Sequence, residues 1–277
     1  GILIEGTYHT AINNIVTGND VGLQQQSGHT PYPGDGDQNN LADTYFGRGN
    51  SPLTCGNIVS PNTLSNTIDT RNVGVVGGQV TNTTSLESFC TIQDAIDDAQ
   101  TLNGHILAIA AGTYNERVTV TKQLTLDGVG EGSTILDGTG LAGTGNGITL
   151  NTGITNVTIK DLTVRYYAGA TPNTSAGIYG IGGNNNLTVT DVDLAYNIGG
   201  SGFYANGPID NVLMNNVDAH GHTNVNGAAR GIVIWNGHKS NITITNCEVY
   251  DNNCCGIELQ DGSSSAINIS DNDIHDN

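Results

Sequence analysis

Five short stretches decide the fold: Asn156-Val-Thr-Ile-Lys-Asp161-Leu-Thr-Val, Asn186-Leu-Thr-Val-Thr-Asp191-Val-Asp-Leu, Asn211-Val-Leu-Met-Asn-Asn216-Val-Asp-Ala, Asn241-Ile-Thr-Ile-Thr-Asn246-Cys-Glu-Val and Ala266-Ile-Asn-Ile-Ser-Asp271-Asn-Asp-Ile. They are one pattern written five times, with steps of 30, 25, 30 and 25 residues. A second pattern precedes each copy: Gly147-Ile-Thr-Leu, Gly177-Ile-Tyr-Gly, Gly202-Phe-Tyr-Ala, Gly231-Ile-Val-Ile and Gly256-Ile-Glu-Leu. A period of this length marks a solenoid, in which each turn buries its apolar face only against its neighbours.

Within each copy the second and fourth residues are apolar, which is strand alternation. The sixth is always Asp or Asn, types that tolerate a tight bend. Alternation then resumes, so two short strands flank a corner. The Gly-Ile-x-Ile segment supplies a third strand. One turn is therefore a three-sided coil, and successive turns stack as parallel sheets about 4.8 Å apart. The fold class expected is all-β, a parallel β-helix.

Outward from this ladder, Thr84-Ser-Leu-Glu87 reads as a capping box. Leu86, Phe89, Ile92, Ala95, Ile96 and Ala99 share one helical face. A helix over about 85–102 is expected to cap the N-terminal end of the coil, since an open solenoid end exposes apolar side chains and strand edges. Residues 27–71 hold four of the six prolines and read as a Pro/Gly/Asn-rich linker or loop. Residues 1–26 repeat the coil pattern at Gly1-Ile-Leu-Ile and Gly22-Leu-Gln-Gln, so they read as the final turns of a preceding β-helix. The division expected is thus 1–26, 27–71 and a capped coil over 72–277 that runs on past residue 277.

The chain has 277 residues, with 8 basic and 26 acidic side chains and a net charge of −18. Nucleic acid, whose phosphates need Lys and Arg, is an unsuitable partner. So is an anionic membrane surface, and no stretch is apolar enough to span a bilayer. An acidic, Asn- and Thr-rich chain with five cysteines reads as extracellular or cell-surface. The cysteines match no zinc or redox spacing. One reading is a buried free thiol at Cys247 with a bridge nearer the N-terminus. Three of the six Asn-x-Ser/Thr sites, at Asn156, Asn186 and Asn241, fall on the repeat itself and read as ladder chemistry.

The repeats resemble those of right-handed parallel β-helix proteins of the pectate-lyase-like superfamily. The stretches Phe89-Cys-Thr-Ile-Gln-Asp-Ala-Ile and Ala111-Gly-Thr-Tyr-Asn-Glu116-Arg-Val-Thr-Val are similar to the start of pectin methylesterases and of large bacterial surface proteins with tandem β-helices. That resemblance implies either a structural repeat or a carbohydrate-active enzyme. The esterase pattern of aspartates in Gln-Asp-Thr-Leu and Asp-Phe-Ile-Phe-Gly is absent, as are the polygalacturonase set and the lyase and epimerase signatures.

The register predicts one outward constellation. Asp193, Asp218, Glu248 and Asp273 would stack in a column beside Arg165, His220, Tyr250 and His275. Carboxylates about 5 Å apart repel by roughly 1 kcal/mol in water, so calcium is the cation expected there. A second calcium candidate is the loop Asp35, Asp37, Asn39 and Asp43, with oxygens at alternate positions. If the chain is an enzyme, His220, Arg230, Lys239 and Tyr250 are the candidate catalytic groups, and Trp235 the candidate sugar-stacking ring. The leading expectation is non-enzymatic: a surface adhesin or filament repeat. Copies would stack head to tail through Gly1, Ile2 and Ile4 at one end and Ile267, Ile269 and Ile274 at the other. The rival is a polysaccharide lyase or epimerase, or a carbohydrate-binding module, acting on acidic or neutral polysaccharide.

Overall fold

The computed structural model describes residues 79–169, 175–224 and 227–277, together with the backbone of six short strands nearer the N-terminus. Two compact units divide the chain, Gly1–Thr101 and Leu102–Asn277.

The second unit is the coil. One face stacks Val118–Val120, Ile148–Leu150, Ile178–Gly180, Phe203–Asn206, Arg230–Trp235 and Cys255–Gln260, all parallel. The two other faces share long bent strands. Val157–Arg165 pairs residue for residue with Leu187–Ala195, and that with Ile209–His220. Lys239–Thr245 and Ser264–Ser270 extend one of these faces. Glu248–Tyr250 and Asp273–His275 extend the other.

The corners explain the repeat. Asn156 and Asp161 lie at φ 55° and 57°, and their counterparts Asn186, Asp191, Asn211, Asn216, Asn241, Asn246 and Asp271 take the same left-handed conformation. Asn and Asp adopt it at lower cost than other residues with a Cβ. Several corner amides also run up the outside as a ladder: Asn186 Nδ2 donates to Asn156 Oδ1 at 2.9 Å and Asn211 Nδ2 to Asn186 Oδ1 at 2.8 Å. Between corners the apolar residues point inward. Ile159, Val189, Met214 and Ile244 are 0–1% exposed, as are Val164, Leu194, Ala219 and Val249.

A polar ladder runs through this apolar interior. Asn197 Oδ1 accepts from the Tyr167 N–H, His222 Nδ1 from the Asn197 N–H, Asn252 Oδ1 from the His222 N–H and Asn277 Oδ1 from the Asn252 N–H. Each side chain thus satisfies a backbone donor of the turn before it, which burial would otherwise leave unpaired. This ladder also crowds the glycines that open four of the Gly-Ile-x-Ile segments, Gly177, Gly202, Gly231 and Gly256. A Cβ on Gly202 would lie 2.6 Å from His222 Nε2 and 2.6 Å from the Gly231 carbonyl. Only a residue with no side chain lets that strand approach the rung.

In the first unit, Ile2–Glu5 pairs in parallel with Leu23–Gln26, and Leu53–Thr54 with Val75–Val76. Leu53–Thr54 and Thr63–Leu64 are strands inside the stretch read as linker. The helix is shorter than the sequence predicts, Ile92–Asp97. The expected first turn is instead a hairpin of Val80–Asn82 against Glu87–Phe89. Asn82 organises this turn instead: its buried Oδ1 accepts from the N–H groups of Thr84 and Ser85, and its carbonyl accepts from the Leu86 N–H, one of the donors a Thr84 cap would use. The working N-cap is Thr91, whose hydroxyl accepts from the Asp94 N–H at 3.0 Å. Leu86 is 80% exposed, whereas Ile92, Ala95 and Ile96 are buried.

Candidate functional site

Parallel pairing with full register puts every second residue of a strand directly over its counterpart one turn away. The column predicted from the repeat is therefore present. Thr163 pairs with Asp193, Asp193 with Asp218, Asp218 with Glu248 and Glu248 with Asp273. Burial, and then repulsion from Glu248 and Asp193, push the Asp218 carboxyl up. Neighbours relieve part of the charge. Thr163 Oγ1 lies 3.3 Å from Asp193 Oδ2, and His220 Nε2 lies 3.1 Å from Asp193 Oδ1.

One carboxylate of this site was not legible in the repeat. Glu131 stands in the loop between Thr125–Asp127 and Thr134–Asp137. The Gly130 N–H donates to the Asp161 carbonyl and the Gly132 N–H to Thr163 Oγ1, which ties the loop to the side of the coil. Although Glu131 is exposed at the surface, partial loss of solvent and then Asp218, Asp193, Asp191 and Asp161 push it up to about 7. The only sequence signal was a lone acid in a Gly-rich loop, and nothing in a loop's composition says which turn it folds across.

A group of side chains that could hold a metal ion lies at one end of the column. Ligand atoms of Glu248, Asp273 and His275 all lie within 4.8 Å of one another. Among the described residues this is the one group of three or more with that property, and it omits Asp193 and Asp218. Asp276 Oδ2 lies 3.0 Å from His275 Nδ1, which orients the ring so that Nε2 faces Glu248 at 3.4 Å. An imidazole nitrogen beside two carboxylates suits a zinc- or manganese-class ion better than calcium, which takes oxygen ligands. The loop Asp35, Asp37, Asn39 and Asp43 lies outside the described residues.

The aromatic residues beside the column stack on one another. His220 and Tyr250 are 4.7 Å apart with an interplanar angle of 2°, and Tyr250 and His275 are 5.2 Å apart at 7°. Tyr166 and Tyr196 stack at 5.5 Å, with the Arg165 guanidinium 5.2 Å from the Tyr166 centroid. Rings stacked along the coil axis turn their edges outward, so their faces are spent on each other.

The four candidate catalytic groups do not converge. His220 and Tyr250 lie on the column's face. Arg230 is on the face built by the Gly-Ile-x-Ile strands, where its guanidinium pairs with Glu258, donates to the Ala228 carbonyl and sits 5.4 Å from the Trp235 ring. Lys239, 1% exposed, donates to the carbonyls of Asn236, Gly237 and Asp261. Burial pulls its pKa down, and Asp261 pulls it up by less. Trp235 donates through Nε1 to Asp261 Oδ2 at 2.7 Å. Each of these side chains ties one turn to another.

At the last turn, Ile269 and Ile274 are 42% and 45% exposed, although their counterparts one turn earlier, Ile244 and Val249, are fully buried. Ile2 and Ile4 lie in the strand Ile2–Glu5, while Gly1 is outside the described residues. Cys247 is a buried free thiol, and Cys254 and Cys255 are also free. The bridge expected nearer the N-terminus would involve Cys55, which lies outside the described residues. Among the described residues no helix is long and apolar enough to cross a membrane.

Comparison with known proteins gives four matches. A cell surface glycoprotein of Methanothermus fervidus is 41% identical over 54 residues, which are 19% of this chain and 9% of that protein. A pectin methylesterase from Erwinia chrysanthemi matches with a TM-score of 0.37 and 16% identity, over 64% of this chain and 78% of that one. The A-module of a mannuronan C-5 epimerase from Azotobacter vinelandii matches with a TM-score of 0.29 and 18% identity, over 71% and 74%. Neither structural match bears on activity. The fourth covers the coil itself: residues 124–277, more than half of the chain, match the family described as the right handed beta helix region. With its parallel coil and left-handed Asn/Asp corners, the chain belongs to that right-handed β-helix family.

Proposed function

We propose that this chain is a non-enzymatic structural segment of an extracellular surface protein, an adhesin or filament in which β-helical coils stack end to end. The observation that carries the reading is the commitment of the polar side chains. Arg230, Lys239, His220 and Tyr250, the groups chemistry would need, are all used to tie turns together, and Arg230 and Lys239 stand apart from the stacked His220 and Tyr250. The 54-residue similarity to a cell surface glycoprotein supports the surface location. The cation expected of the carboxylate column belongs, on this reading, at Glu248, Asp273 and His275.

The test is the purified chain under electron microscopy and light scattering, run beside cleavage and binding assays on acidic and neutral polysaccharides. Periodic end-to-end assembly, weakened by Ile269→Lys and Ile274→Lys, is the expected result. A monomer that cleaves an acidic polysaccharide, and loses that activity in His220→Ala or Arg230→Ala, would overturn it in favour of a lyase or epimerase. Binding without cleavage would favour a carbohydrate-binding module.

A further inference from the structure

We infer that Cys254 and Cys255 form a two-thiol redox site, which a low-molecular-mass disulfide converts into a vicinal disulfide within one chain. This inference is independent of the scaffold role proposed above. The two thiols are free and half-buried, and their Sγ atoms lie 2.8 Å apart. That is closer than two sulfurs rest in van der Waals contact.

The backbone on both sides of the pair is pinned. On one side, the Asn253 N–H donates to the His222 carbonyl, its Oδ1 accepts from the Ala229 N–H and its Nδ2 donates to the Asn224 carbonyl. On the other, Gly256 packs so closely under the terminal rung that a Cβ there would lie 3.0 Å from Asn277 Nδ2. The pair opens the strand Cys255–Gln260, whose first residue lies opposite Arg230. Two thiols held in this way need little further ordering to reach each other, so closure is intramolecular and fast relative to capture of a second external thiol.

Reaction with a disulfide RSSR balances without another reactant. The Cys254 thiolate attacks one sulfur of RSSR, forms a mixed disulfide and expels RS⁻. Cys255 gives up its proton and attacks Cys254 Sγ. The second RS⁻ leaves, and the Cys254–Cys255 sulfur–sulfur bond forms. In sum, two cysteine thiols are oxidised by two electrons and RSSR is reduced to two RSH. The hydrogen bond between the thiols, and then burial, push the Cys255 thiol up to about 11, and Cys254 is taken as the first to attack. Cys247, 2% exposed in the core, stays outside the exchange.

The experiment exposes the full-length chain to glutathione disulfide, then alkylates it with iodoacetamide and maps peptides by mass spectrometry. The peptide carrying both cysteines is expected to lose two hydrogens and to take up no alkyl group, and dithiothreitol should restore both alkylatable thiols. Cys255→Ser is expected to trap one glutathione on Cys254. Two alkylated thiols after exposure, two separate glutathione adducts, or a crosslink between chains would each overturn the site. An unmodified Cys254 in Cys255→Ser would overturn the order of attack. Because every readout is a mass, failure here leaves the assembly experiment untouched.

Discussion

His222 occupies a rung that the next two turns fill with asparagine, and it makes the coil acid-sensitive at a predictable place. It is fully buried and accepts from the Asn197 N–H through Nδ1, while its Nε2 makes no hydrogen bond. Burial, with a smaller contribution from His220, pushes its pKa from 6.5 down to about 3. Because the folded value is the lower one, the unfolded chain takes up the proton first. The stability tied to this group is fully present above pH 6.5 and is lost as the pH falls towards 3. At about 1.36 kcal/mol per tenfold change in proton affinity, the whole loss is about 5 kcal/mol, and about 3 kcal/mol is gone at pH 4.

His222→Asn should remove that loss. An asparagine there has an oxygen for the Asn197 N–H and an amide for the Leu194 carbonyl. Asn252 and Asn277 make the equivalent amide bonds to the Ala219 and Val249 carbonyls. The smaller side chain leaves unfilled volume and costs about 1–2 kcal/mol at pH 7. The two stability curves are therefore expected to cross near about pH 5.5, with the variant the more stable protein at pH 4. Carboxylate contributions are common to both proteins and cancel in the difference. The assay is urea unfolding of both proteins from pH 4 to pH 8, paired with hydrogen exchange of the peptide containing Asn197, because a coil of stacked turns can open in parts. Parallel curves, separated by the same amount at every pH, would refute the reasoning. So would an NMR titration showing His222 protonating near pH 6.5 in the folded chain.

Glu131 predicts the opposite slope. Its folded pKa is raised from 4.5 to about 7, so the stability it contributes is present below pH 4.5 and lost as the pH rises through 7. Glu131→Gln should leave the melting temperature unchanged at pH 4 and raise it at pH 8, as read by circular dichroism. Asn252→Ala leaves the His222 N–H and the Ala219 carbonyl without partners in a site that is 2% exposed. It should cost about 3–5 kcal/mol in urea unfolding. In calorimetric titrations, zinc is expected to bind more tightly than calcium, with binding lost in His275→Ala and retained in Asp193→Asn. Equal affinity for both ions, or binding that survives His275→Ala, would remove the site at Glu248, Asp273 and His275.

The stacking of the column was legible because a parallel coil converts sequence register directly into contact. Once Asn156, Asn186, Asn211 and Asn241 are aligned, Asp193, Asp218, Glu248 and Asp273 must fall over one another. The interior rung was equally periodic: Asn197, His222, Asn252 and Asn277 recur at one offset within the repeat. A polar residue at constant offset is nevertheless ambiguous on paper, since it fits an outward position as well as a buried one. The helix start was misplaced for a different reason. The Asn82 carbonyl takes the Leu86 N–H, one of the donors a Thr84 cap would use, and a pattern of side chains does not say which oxygen wins.

Sequence alone determined the architecture, because strand alternation, Asn and Asp corners and a fixed period are local properties that depend only on residue order. It determined which residues share a column for the same reason. Tertiary structure alone decided what those residues do. It folded Glu131 across the column from a distant loop and turned His220, Tyr250 and His275 face to face. It also placed Arg230 against Glu258, buried Lys239 under three carbonyls and set Cys254 against Cys255. Charge, pKa and reactivity depend on which groups lie within a few ångströms in space, and only the closed coil brings them there.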